Sequence, residues 1–154
     1  MNIQERIEAL ETEFNEKIKS LKAEVQREDE FPRDGDKYWY MDINGDAVSE
    51  KWHGVDIEKD MFEIGNFFKT KEQAQFALEK LKVEAELRKH SRPFECGIFN
   101  YYIFFAMDSG FIDVNGRAYC PSQGTIYFES EEKAQQAIET VGEERIKKYI
   151  FGVE

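Results

Sequence analysis

The sequence predicts an α+β fold: an N-terminal coiled-coil-like helix followed by two pseudo-repeated antiparallel β-hairpin-plus-helix units. Three observations carry this. Apolar residues at helical spacing open the chain, turn dipeptides punctuate runs of aromatic and β-branched residues, and one sheet-then-helix pattern occurs twice.

The helix is read over residues 2–28. Ile3, Ile7, Leu10, Phe14, Ile18, Leu21 and Val25 follow one another at steps of 4, 3, 4, 4, 3 and 4, with no Gly or Pro between them. The extra residue between Phe14 and Ile18 is a stutter in an otherwise heptad-like stripe. The remaining positions are mostly Glu, Lys, Gln and Asn, so the narrow stripe needs a facing apolar surface. These seven residues are the expected oligomerisation contacts, and the chain is expected to be a homo-oligomer through this arm.

The segment EDEFPRDGDK (28–37) ends the helix. Pro32 disfavours the helical conformation at Phe31, and Asp34, Gly35 and Asp36 are turn formers. The expected organisation is therefore an arm over 1–30 and an α+β domain over 31–154, built from related units at 38–90 and 98–149. The first unit opens with Tyr38-Trp39-Tyr40 and closes with FFKTKEQAQFALEKL. The second opens with Tyr101-Tyr102 and closes with YFESEEKAQQAIETV. Phe68 corresponds to Phe128, Thr70 to Ser130, Ala74 to Ala134 and Leu78 to Ile138. Those apolar positions are expected to be buried at matching places. Asn44-Gly45 and Asn115-Gly116 are hairpin-turn dipeptides, since that turn needs positive φ at both central residues, and Asp108-Ser109-Gly110 is a further turn candidate. Thr70 and Ser130 are the expected helix N-caps, Thr70 with Gln73 forming a capping box. The helices are expected to run from Thr70 to about Lys89 and from Ser130 to about Val141, with Gly142 as a stop. A short closing helix is expected over 143–149.

Composition narrows the function. Hydrophobic residues make up 41% of the chain, enough for a packed core rather than disorder. The net charge of -11 repels nucleic acid and anionic membranes and favours basic protein surfaces. Residues 31–64 alone hold 9 acids against 4 bases. There is no secretory signal and no apolar run approaching a membrane span, so a cytoplasmic location is expected. Cys96 and Cys120 lack metal-ligand or disulfide-scaffold spacing and are expected to be free thiols.

Catalytic motifs are not found. No phosphate-binding glycine loop occurs, His53 and His90 stand far apart, and no Ser or Cys has a nucleophile setting. Asp42, Asn44 and Asp46 begin like a calcium loop, but Ala47 replaces the required glycine and His53 the bidentate Glu, leaving a plain turn. The reading is no catalytic residue, no metal, no cofactor and no enzyme. Asp46, Trp52, Asp56, Glu58 and Asp60, in a loop-rich acidic stretch, are the expected partner-binding residues. For Trp52 the competing expectation is that it closes the core. The alternative function is a nucleic-acid- or nucleotide-binding module, using the aromatic strands as a stacking platform beside the basic 80–92 stretch.

The segments GNFFKTKEQAQFALEKLKVEAEL (65–87) and YFESEEKAQQAIETVGEERIKKYIFGVE (127–154), with a helical arm before Tyr38-Trp39-Tyr40, resemble small proteins encoded by phages and prophages of Gram-positive bacteria. The resemblance implies an accessory protein in the host cytoplasm and brings no catalytic residues with it. It implies, by analogy with other phage proteins of this size, binding and inhibition of a host protein. A defence nuclease or sensor would then be blocked sterically or by acidic mimicry, as anti-CRISPR proteins do.

Overall fold

The computed structural model describes residues 2–29 and 31–153, and of 26–29 the backbone alone. The elements run α1 (Ile3–Asp29), β1 (Lys37–Met41), β2 (Ala47–Lys51), α2 (Asp56–Glu63), α3 (Lys71–Arg88), β3 (Asn100–Ala106), β4 (Phe111–Arg117), β5 (Tyr127–Phe128), α4 (Glu131–Val141), α5 (Glu143–Ile146) and a π-helical segment, Lys147–Phe151. The fold is α+β as the patterning predicts. Its contacts group residues 1–40 with 48–69 in one unit, and 41–47 with 70–154 in another. The divisions therefore fall at Tyr40–Met41, Ala47–Val48 and Lys69–Thr70, all inside the first repeat. The expected arm boundary at residue 30 lies outside the described residues.

Both repeats use one pairing scheme. In the second, β3 lies between β4 and β5, antiparallel to both, and Tyr101 sits opposite Phe128. In the first, β1 pairs with β2, and its other edge meets Phe68 through Trp39, with both N–H···O bonds at 2.8 Å. The aligned residues Trp39 and Tyr101, Phe68 and Phe128 thus hold equivalent places. The helix that follows each third strand is capped as expected. The Thr70 hydroxyl accepts from the Gln73 N–H at 3.2 Å while the Gln73 side chain returns a bond to the Thr70 N–H. Ser130 caps α4 through the Lys133 N–H without a reciprocal bond.

The cores differ. The 70–154 unit buries Val83 and Leu87 of α3, Phe128 of β5, Ala134, Ala137, Ile138 and Val141 of α4, and Ile146 of α5. Tyr101, Ile103, Ile112 and Val114 pack against this cluster from one face of the β3–β4 sheet, as the alternation of a pleated strand requires. The first unit is held by rings. Tyr38 is fully buried and stacks on Phe67 at 4.4 Å, and Trp52, Phe62 and Phe31 close around Phe67 at 5.3–5.5 Å. Tilted and edge-to-face contacts of this kind add to the area the rings bury.

Four expectations need correction. Asn115-Gly116 is not a turn: both residues lie within β4, opposite Tyr102 and Tyr101, and the hairpin turn is at 107–110. Gly116 is needed for space instead, since a Cβ there would come within 2.9 Å of the Phe99 ring and 3.5 Å of Tyr101. The stretch 42–63 is not loop throughout, because α2 occupies its second half. Phe68 and Leu78 are half-buried, unlike their counterparts Phe128 and Ile138. The closing segment is α-helical only to Ile146 and continues as π-helix.

Candidate interaction surfaces

The apolar stripe of α1 faces solvent. Ile3, Ile7, Leu10, Phe14, Leu21 and Val25 are between 45% and 76% exposed, and Ile18 is half-buried. The helix begins with a reciprocal cap absent from the sequence reading. The Asn2 side chain accepts from the Glu5 N–H at 2.9 Å, and the Glu5 carboxylate accepts from the Asn2 N–H at 2.8 Å. An Asn followed three residues later by Glu is the signal that would have found it. Six of the seven apolar side chains of the stripe, which runs from Ile3 to Val25, are thus left uncovered.

The five expected partner residues separate. Asp46 lies in the β1–β2 turn, exposed, and its N–H donates to Asp42 Oδ1 at 2.9 Å. Asp42 also takes the Asn44 N–H, and these donors, Asp46 first, hold its carboxyl below the usual range. Asp46 also rims a cleft of about 750 Å³ whose lining includes Phe76, Glu79, Lys82 and Tyr149. Asp56 and Asp60 lie one turn apart on the exposed side of α2, in the other unit. Exposed Val55, Ile57 and Ile64 accompany them.

Glu58 and Trp52 belong to the interior. Glu58 is only 4% exposed. One of its carboxylate oxygens accepts from the His53 and Val55 N–H groups at 2.9 and 3.0 Å, and the other lies 3.5 Å from the Tyr38 hydroxyl. Burial raises its pKa, but the His53, Val55 and Gly54 donors and the nearby His53 ring outweigh burial and leave it below the usual carboxylate range. This charge holds the start of α2 and offers nothing to a partner. Trp52 is half-buried, its ring edge-on to Tyr38 and Phe67, so it closes the aromatic cluster. Glu58 differs from Asp56 and Asp60 in its partners, the His53 and Val55 N–H groups close by in the chain and the Tyr38 hydroxyl twenty residues upstream.

The structure also settles which aromatic row lies away from the helices. Tyr102 and Phe104 occupy the face of β3 opposite the core, with the Arg117 guanidinium over the Tyr102 ring at 4.5 Å. Nearby, Arg88, Ser91, Arg92, Phe94 and Tyr127 line a groove of about 340 Å³. Its cations are already engaged. Arg88 pairs with Glu84 at 3.2 Å, while Arg92 pairs with Glu95 at 2.9 Å and donates to the Phe99 carbonyl. Buried Asn100 is fully used, taking the Glu95 N–H and donating to three backbone carbonyls. Cys96 and Cys120 are free and exposed. Among the described residues, no group of three or more His, Cys, Asp or Glu is placed to hold a metal ion. Nor is any helix there long and apolar enough to cross a membrane.

No family model matches the chain, and neither the curated proteins nor the solved structures contain a match to it.

Proposed function

We propose that this chain is a non-enzymatic, protein-binding accessory protein, self-associating through α1 and inhibiting a host protein of the phage-infected cell. The observation that carries the binding part of this reading is the exposed stripe of α1. Helices in proteins gain most of their stability by packing an amphipathic face rather than from propensity. The acidic side chains of α2, Asp56 and Asp60, stand beside exposed Ile57 and Ile64 and supply a surface suited to a basic partner. Asp46 offers a second acidic point, in the β1–β2 turn. The inhibitory role and the host setting rest on the sequence resemblance alone.

Two experiments test this. Light scattering should give a multiple of the 18.2 kDa chain mass for the full-length protein and a single chain mass once residues 1–30 are removed. For inhibition, a target captured from infected cells and then purified should bind the parent and lose binding to the Asp46→Lys/Asp56→Lys/Asp60→Lys variant. A variant that binds as tightly as the parent removes this surface from the function. The nucleic-acid reading draws on the groove beside Tyr127, but its Arg88 and Arg92 already hold carboxylates. Binding to single-stranded DNA or RNA that weakens steeply with salt would restore it.

A further inference from the structure

We infer that α1 pairs with α1 of a second copy in antiparallel orientation, with the two Phe14 rings meeting on the two-fold axis. This rests on the self-association proposed above and adds its orientation, register and stoichiometry.

The first observation is the symmetry of the stripe. Its steps, 4, 3, 4, 4, 3 and 4, read identically from either end, and Phe14 is the midpoint. Laid against an inverted copy with Phe14 opposite Phe14, Ile3 meets Val25, Ile7 meets Leu21 and Leu10 meets Ile18. Every apolar side chain then has an apolar partner over about 33 Å, at 1.5 Å per residue. The two successive steps of 4 that make the stutter, Leu10 to Phe14 and Phe14 to Ile18, straddle the axis and so fall at the same level in both helices. A stutter locally unwinds a supercoil, so a mismatched position would splay the pair, whereas on the axis both helices unwind together. Phe14, the one aromatic residue of the stripe, stands there.

An in-register parallel pair would fill the same layers, so spacing alone does not choose between them. Charge does. Residues 3–16 hold five Glu and one Arg, while residues 17–25 hold three Lys and one Glu. A parallel pair sets the two acidic halves side by side and the two basic segments side by side. An antiparallel pair sets each acidic half on a basic one. The residues flanking the seam agree. In antiparallel register Glu13 faces Lys17 of the second copy and Arg6 faces Glu24, each contact occurring twice by symmetry. A parallel pair retains one attraction, Arg6 with Glu11, and sets Lys17 against Lys22. Flanking charges of this kind set partner orientation in coiled coils.

The consequence is a bivalent molecule. The two chains leave the paired helices at opposite ends of a rod about 40 Å long, so two acidic surfaces are displayed at once. A target with two basic sites, or a symmetric one, would then be held with avidity.

Disulfide trapping tests orientation apart from association. In a full-length Cys96→Ser/Cys120→Ser background, both native thiols being exposed, Leu10→Cys and Ile18→Cys chains are oxidised separately and mixed. The mixture should yield the cross-linked pair and neither chain alone should. Cross-linking of Leu10→Cys to itself would overturn the antiparallel arrangement while leaving self-association intact. Monomers in sedimentation of the unaltered protein would overturn both. Dimers without any of these cross-links would place the contact elsewhere and overturn the proposal. A charge pair gives a second readout that leaves the seam untouched. Glu13→Lys and Lys17→Glu should each weaken the dimer at least tenfold alone and regain parental affinity when mixed. Failure of mixing to restore affinity overturns the register, because a bond confined within one helix cannot be repaired by the other chain.

Discussion

The two repeats share a pairing scheme and a cap but are stabilised by different means, and the difference shows how far a duplication constrains a core. In the second repeat the third strand, Tyr127–Phe128, is buried on both residues, and α4 lays Ala134, Ala137, Ile138 and Val141 beside it. In the first, Phe68 meets β1 through a single bridge and is half-buried, and the interior is the ring cluster around Phe67. The helix of the first repeat, α3, sends Val83 and Leu87 into the aliphatic core of the 70–154 unit. A repeat thus preserves what is local, the strand edge and the cap, while its core depends on which surfaces are available to cover it.

The largest effect that would break this comparison is at the matched phenylalanines. Phe128→Ala should cost about 3–5 kcal/mol, because the side chain is fully buried, and Phe68→Ala should cost about 1–3 kcal/mol. Equal losses in chemical denaturation would mean that the two cores are alike after all.

The next effect is confined to alkaline pH. The Tyr38 hydroxyl is pushed from 10.0 to about 12, first by burial and then by the negative charges of Glu58 and Glu50. The folded state therefore favours the neutral phenol. The resulting stability is complete below the unfolded value of 10.0 and is lost as pH rises toward about 12. Denaturation curves of the parent and of Tyr38→Phe should run parallel below that window and converge within it. Glu58 works in the opposite sense. Its lowered pKa contributes stability above the usual carboxylate range that is lost as pH falls through the folded value. The gap between the parent and Glu58→Gln should close on acidification.

The caps are smaller and sharpen the likeness between the repeats. Thr70→Ala and Ser130→Ala should each cost about 1 kcal/mol, and about equally, because each removes one hydroxyl that accepts a first-turn N–H, while the Gln73 side chain keeps its bond to the backbone N–H of residue 70. Thermal melts of the two variants measure this directly. The smallest expected loss is at Arg145, which grips Glu86 with three bonds of 3.0–3.2 Å yet is 38% exposed. Arg145→Met should cost at most about 1 kcal/mol, and high salt should shrink the difference.

What the sequence by itself determined is what neighbouring residues decide among themselves. The α1 stripe, the two N-caps and the equivalence of Trp39–Phe68 with Tyr101–Phe128 are each set by spacing within a few positions or by direct alignment; a turn does fall at Asn44-Gly45, but only Gly45 takes the positive φ expected of both residues. Only the tertiary structure decided the rest. Asn115-Gly116 has the composition of a turn, yet it lies in β4, paired with Tyr102 and Tyr101, and its glycine leaves room for the Phe99 and Tyr101 rings. Glu58 has the composition of a surface acid, yet Tyr38 and the His53–Val55 backbone draw it inside. The acidic residues of 42–63 are alike in sequence, but the fold leaves Asp56 and Asp60 in water, turns Glu58 inward and places Asp46 in the other unit. Burial is a property of contacts between residues distant in the chain, and no spacing rule within a segment encodes it.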